Sequence, residues 1–242
     1  MCGIGGIYLR NKSTLNSKDL EKMWNNLEDR GKHASGIAYL WEDADRPIVS
    51  KGAKSASQHS SKIIDEMGKM VHYALLHTRY TTQGSTALNG NNHPVVRDSI
   101  IMTHNGVISN DWRMFETMGV TPKFEVDTEA LVAGIETNGL EWTANVAKGS
   151  MSIAWVDTND VTQVNLFTNG RNPLVIAKLE CGSTIWASGY HHLKHYKPVQ
   201  YIHAVPGTLY KITPKGIITE KISGDWPKQA NVLSTRYYGR VY

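Results

Sequence analysis

The chain begins MCGIGGIYLR (residues 1–10): a cysteine directly after the initiator methionine, then an apolar, glycine-rich run that reads as a short buried strand. A methionine in this position is removed when the next side chain is small, and cysteine qualifies. Removal would leave Cys2 with a thiol and a free α-amine on one residue, a nucleophile with a base built into the same backbone unit. The competing reading is that Cys2 only begins a strand, because free cysteine packs as a small apolar residue. The rest of the chain has to decide between the two.

Outward from that strand, Ser17 is placed as a helix N-cap, and Leu20, Met23, Trp24 and Leu27 recur at helical spacing until Gly31. SGIAYLW (35–41), HYALLHTRY (72–80) and SIIMTHNG (99–106) read as strands, the last ending in a polar turn. KIIDEMGKMV (62–71) and DTEALVAGIETN (127–138) carry helical spacing, with a second helical stretch running to Lys148. Beyond Gly149 the texture changes to SMSIAWVD, QVNLFT, PLVIAKL, STIWAS, VQYIHAV, GTLYKIT and GIITEKI, short strands separated by turn residues. Strands first and last with helices between predict an α+β sandwich of sheets flanked by helices, in one domain spanning 1–242.

Composition narrows the class. The 242 residues are 40% hydrophobic and contain no run long enough to span a membrane, so no membrane association is expected. Two cysteines, Cys2 and Cys181, make no disulfide framework, and a reduced, cytoplasmic setting is expected. A net charge of +4 without Lys/Arg clusters does not point to nucleic acid.

Four patches of unusual polar density stand beside Cys2: EDRGKHASGI (28–37), HTRYTTQG (77–84), HNGVISN (104–110) and EVDTEAL (125–131). Together with MCGIGGI and the Asn91, His93, Pro94 motif, they occur in an order that resembles the class II glutamine amidotransferases, and most of all the glutaminase half of the glucosamine-6-phosphate synthases. The resemblance covers roughly the whole chain. It implies the Ntn-hydrolase fold, a four-layer α/β/β/α sandwich of two mainly antiparallel sheets. The implied activity is hydrolysis of the L-glutamine side-chain amide through a Cys2 thioester, with no cofactor and no metal.

The resemblance also implies roles, and the residue chemistry suits them. Cys2 would be the nucleophile, its own α-amine the base. Asn105 and Gly106 would donate to the oxyanion, although Asn-Gly is also the strongest short hairpin signal. Arg79 would hold the substrate α-carboxylate with a bidentate fork. Asp127 would accept from the α-ammonium, while an Asp before an apolar-periodic run is equally a helix N-cap. Tyr80, Thr82 and Gly84 belong to a loop that closes over glutamine. Arg30, Ser35, Gly36 and His93 would stand behind these, bracing the Cys2 segment. Tyr80 and Gln83 depart from the synthases, which carry Trp and His there.

A synthase subunit or acceptor enzyme on another chain is the expected partner, because the chain leaves no room for a sugar-phosphate domain. A related amide hydrolase and a non-catalytic domain of the same shape are the competing readings. Two weaker signals remain. HHLKH (191–195) spaces His191 and His195 as metal ligands would be spaced on a helix, but lacks a neighbouring acid in sequence. WPKQANVLSTRYYGRVY (226–242) interleaves Arg with Tyr and is either a partner contact or an ordinary terminal tail.

Overall fold

The computed structural model describes residues 1–10, 17–66 and 71–227. Strand β1 (Gly3–Tyr8) is buried along its whole length and lies inside a sheet. Its neighbours there are β2 (Ala34–Trp41), β3 (Ile48–Gly52), β4 (Val71–Arg79), β9 (Val175–Lys178), β10 (Thr184–Ala187) and β11 (Gln200–His203), in the order β11-β9-β10-β1-β4-β2-β3. The second sheet comprises β5 (Val95–Arg97), β6 (Ile100–Ile108), β7 (Gly149–Asp157), β8 (Asp160–Thr168), β12 (Thr208–Thr213) and β13 (Gly216–Lys221), in the order β13-β12-β8-β7-β6-β5. Every pairing between neighbours is antiparallel.

Side-chain alternation builds four layers from these sheets. On β1, Ile4 and Tyr8 face the second sheet and pack with Ile101, Ala154 and Leu166, while Ile7 faces the other way. There it meets helix α1 (Ser17–Asn26) through Leu20, Met23 and Trp24, beside α2 (Ala56–Glu66) with Ala56 and Ile63. The outer face of the second sheet is covered by α3 (Asp111–Met118) and α4 (Thr128–Val146) through Met114, Phe115, Leu131 and Val132. The architecture is the α/β/β/α sandwich.

Several boundaries differ from the sequence reading. Helix α2 begins at Ala56 and is described to Glu66, whereas Val71 starts strand β4 and residues 67–70 lie outside the described residues. Asn105–Gly106 is not a turn: β6 runs straight through it to Ile108, paired with β7 along its length. Strands β3 and β5 and helix α3 had no sequence signal strong enough to be read. Helix α4 breaks at Gly139 (φ 82°), which separates the two helical stretches. Most of the C-terminal tail, residues 228–242, lies outside the described residues. Trp226, at its start, packs edge-on against Phe167 and donates to the Ile222 carbonyl at 2.7 Å.

Candidate functional site

The same alternation that builds the core directs polar side chains to one end of the gap between the sheets. On β4, Tyr73 and Leu75 point into the gap, so His77 and Arg79 follow them. On β6, Ile101 points inward, and Asn105 shares its face. His77 crosses the gap and donates from Nε2 to the His104 carbonyl at 3.1 Å, tying β4 to β6. Cys2 immediately precedes β1, two residues before the inward-facing Ile4.

Around Cys2, Arg30 donates from Nε to the Cys2 carbonyl at 2.7 Å, and the thiol lies 3.6 Å from the Tyr80 carbonyl oxygen. Burial pushes the thiol pKa up, while the nearby Arg79 guanidinium pulls it down. The Gly31 backbone is extended (φ 173°) and forms no left-handed cap. Close approach requires glycine instead. A Cβ at Gly31 would lie 2.4 Å from both the Arg79 carbonyl carbon and the Tyr80 nitrogen.

Asn105 is buried, and its side-chain nitrogen has no hydrogen-bond partner among the described residues. Its own carbonyl accepts from Asn172 Nδ2 at 2.9 Å, which fixes the backbone beneath it. A Cβ at the adjacent Gly106 would lie 1.9 Å from the Ser150 carbonyl oxygen across β7, so only glycine fits this register. An unpaired buried amide donor costs about 1–3 kcal/mol, and such a group invites an acceptor from outside the chain.

Arg79 is buried and heavily engaged. Its Nη1 donates to Asn92 Oδ1 at 2.9 Å, and its Nη2 donates to the Gly84 carbonyl at 2.9 Å and to the Gln83 carbonyl. Both Nη2 protons are therefore spent on the 79–84 loop, and no two-pronged edge of the guanidinium is open in this conformation. Gln83 also donates to Asp111 Oδ2 at 3.1 Å, and the Thr81 N–H to His33 Nδ1 at 3.0 Å, so the loop is pinned on both sides. Tyr80 and Thr82 are exposed on it, with Tyr80 beside the His33 ring. An open cavity of about 380 Å³ adjoins the loop, lined by Gln83, Asp111, Trp112, Phe115, Phe124 and Glu125 among others.

The Asp127-Thr128-Glu129 triplet makes three separate anchors. Asp127 makes no side-chain cap to its own helix; its Oδ2 accepts from the Ile108 N–H at 2.6 Å, at the end of β6. Thr128 Oγ1 bridges His93 Nε2 at 2.8 Å and His104 Nδ1 at 2.9 Å. Glu129 is fully buried, pairs with Arg97, and accepts the Lys123 and Phe124 N–H groups at 2.8 and 2.7 Å. His77 and His93 stack at 4.1 Å, and burial pushes His77 down to about 3 and His93 and His104 below the usual histidine value. Burial favours the neutral form of all three rings.

Of the residues placed behind the nucleophile, Arg30 touches Cys2. Ser35 and Gly36 sit on β2, where Ser35 Oγ lies 3.0 Å from His59 Nδ1 and Gly36 backs onto the His93 carbonyl. His93 belongs to the histidine stack. The HHLKH segment is not one helix but two 3-10 turns (Tyr190–His192 and Lys194–Tyr196). His195 consequently faces Lys22, at 3.2 Å, rather than pairing with His191. Asn92, Thr128, Asn172 and the Arg97–Glu129 pair were missed in the sequence. His77, His104 and Thr128 lie inside the quoted motifs, whose order was the only available signal.

Residues 77–195 match the glutamine amidotransferase domain family. The glutamine–fructose-6-phosphate aminotransferase (isomerizing) of Chlamydia muridarum is 32% identical over 191 residues, covering 73% of this chain and 30% of that protein. The 7-cyano-7-deazaguanine synthase of Saccharolobus solfataricus is 24% identical, over 90% of this chain and 50% of its own length. The chain thus spans half or less of these relatives. Among solved structures, the glutamine phosphoribosylpyrophosphate amidotransferase of B. subtilis superposes with a TM-score of 0.74 at 20% identity, over 93% of this chain and 50% of that one. A class-II glutamine aminotransferase domain protein from Silicibacter pomeroyi gives 0.57 at 13% identity, over 92% of this chain and all of that one. No helix among the described residues is long and apolar enough to cross a membrane.

Proposed function

We propose, for a chain that belongs to the class II glutamine amidotransferases, that it hydrolyses the side-chain amide of L-glutamine through a thioester on Cys2 and passes the ammonia to an acceptor site. The observation that carries this reading is the buried Asn105 amide, which has no partner among the described residues and shares the intersheet gap with the Cys2 end of β1. Removal of Met1 frees the Cys2 α-amine, which takes the thiol proton as the sulfur attacks the amide carbon. The carbonyl oxygen becomes an oxyanion that accepts from Asn105 Nδ2 and the Gly106 N–H. One such donor is worth about 10²–10³ in turnover. Collapse of the tetrahedral intermediate breaks the C–N bond, the proton goes to the leaving nitrogen, and ammonia departs. Water then cleaves the thioester to glutamate.

The substrate's α-groups fall to Asp127 and Arg79. Asp127 Oδ2 is occupied by the Ile108 N–H, which leaves its second oxygen for an ammonium. Arg79 reaches a carboxylate with a fork only when the Gln83 and Gly84 carbonyls release Nη2, so glutamine binding and loop movement are one event. That exchange would signal an occupied site to a partner docked near the loop.

The test is ammonia release from glutamine, asparagine and a γ-glutamyl peptide by the wild type and by Cys2→Ser, Asn105→Ala and Asp127→Asn. The reading expects glutamine specificity, loss of turnover with Cys2→Ser, a fall chiefly in kcat with Asn105→Ala, and a rise chiefly in KM with Asp127→Asn. Turnover that survives Cys2→Ser, or a preference for another amide, would refute it.

A further inference from the structure

We propose that Asp29, His191 and His192 form a binding site for a first-row divalent transition ion, zinc above all. Nothing in the glutaminase reading requires this site, and it stands or falls apart from that reading. Asp29 follows α1 in a 3-10 turn (Leu27–Arg30), and the two histidines lie in the 3-10 turn Tyr190–His192, more than 160 positions away in the chain. The fold brings them together with their donor atoms converging. His191 Nε2 lies 2.9 Å from Asp29 Oδ2, His192 Nε2 lies 3.0 Å from Asp29 Oδ1, and the ligand atoms of the trio all fall within 4.8 Å of one another. The two rings pack at 3.8 Å, which holds both Nε2 atoms on the same side.

Ligand bonds of about 2.0–2.1 Å in a tetrahedral site require donors about 3.3 Å apart. The two nitrogen–oxygen spacings are a few tenths of an ångström short of this, and the widest separation among the three ligand atoms, within 4.8 Å, closes as the half-exposed carboxylate and the His191 ring turn toward the ion. A two-imidazole, one-carboxylate set with a fourth position left to water suits zinc and its neighbours, not the all-oxygen preference of calcium or magnesium. His192 is fully buried, and its Nδ1 has no partner among the described residues. Ligation through Nε2 would put the ring proton on that Nδ1, in the tautomer opposite to the one that donates to Asp29. Asp29 and His191 are half exposed and offer an entry path. The ion would clamp the Leu27–Arg30 turn to the Tyr190–His192 turn, one residue from the Arg30 that holds the Cys2 carbonyl.

Because thiols also bind zinc, the experiment uses the untagged full chain carrying Cys2→Ala and Cys181→Ala, stripped with chelator. Titration with Co²⁺ read by visible absorption, then displacement by Zn²⁺ followed by calorimetry, should show one equivalent bound and a rise in Tm with zinc. Asp29→Asn and His191→Ala each change a half-exposed side chain, so circular dichroism should stay native. Each should weaken zinc at least about tenfold, the smallest loss typical even of an outer partner. If Asp29→Asn disturbs the fold, His191→Ala alone decides. Absence of binding at about 100 times a micromolar affinity, or binding undiminished in a natively folded variant, would overturn the proposal.

Discussion

Acid should unfold this protein earlier than its carboxylates alone would, and the buried histidine stack sets the size of the effect. His77 is fully buried between the sheets, and desolvation pushes its pKa to about 3. The His104 carbonyl that accepts from Nε2 favours the protonated ring, while the Arg79 and Lys51 charges and the His104 ring disfavour it; His93 stacks on its face. In the unfolded chain a histidine titrates near about 6.5. Between those two values the unfolded state holds a proton that the native state refuses. The contribution is therefore fully present above about pH 6.5 and is lost as the pH falls toward 3. At pH 5 the single ring costs about 2 kcal/mol, from about 1.5 pH units at 1.36 kcal/mol each. His93 and His104 are depressed for the same reason and add with the same sign. Against a typical domain stability of about 5–15 kcal/mol, such a loss is a large fraction of the whole. Urea denaturation at pH 7.5, 6.5, 5.5 and 5.0 measures it, with imidazole NMR to assign the rings. A stability that stays flat from pH 7.5 to 5.5, or three ring resonances titrating near 6.5 in the folded protein, would refute the reasoning.

Gly106→Ala should force β6 away from β7, because its Cβ would sit 1.9 Å from the Ser150 carbonyl oxygen. A loss of about 1–3 kcal/mol, with a fall in turnover as Asn105 shifts, is expected, and thermal melts with a glutaminase assay check both. Glu129→Gln should leave buried Arg97 with only the half-exposed Asp98, 3.4 Å away, as counter-ion, at a cost of about 3 kcal/mol and a drop in Tm of roughly 10 °C. A change below about 1 °C would show that the pair carries no such load. Protein that retains Met1 should lack glutaminase activity, since the α-amine then belongs to the wrong residue; intact-mass analysis of active fractions decides this.

Much of the fold could be read from local pattern. Short apolar runs bounded by turn residues, in MCGIGGIY, HYALLHTR and the segments after Gly149, placed β1, β4 and the C-terminal strands. Once those strands are in place, the two-residue side-chain period puts Arg79 on the face of β4 shared with Tyr73 and Leu75, and Asn105 on the face of β6 shared with Ile101. Short elements escaped, since β5 spans only Val95–Arg97 and β3 is mostly half-buried, with too few residues to establish a period.

Ambiguities of partner, by contrast, were decided only in three dimensions. Asn105–Gly106 is equally good turn and strand chemistry until β7 pairs across it. Asp127 is an equally good helix cap until the end of β6 offers it the Ile108 N–H. Arg79 reads as a free fork, yet loop carbonyls four and five residues away fold back and take its protons. His191 and His192 had no acid near them in sequence, and Asp29 reaches them from the opposite end of the chain. Periodicity is encoded within a few residues and survives in the sequence. The choice of hydrogen-bond partner depends on sheet register and on how layers stack, and those are settled only when the whole chain packs.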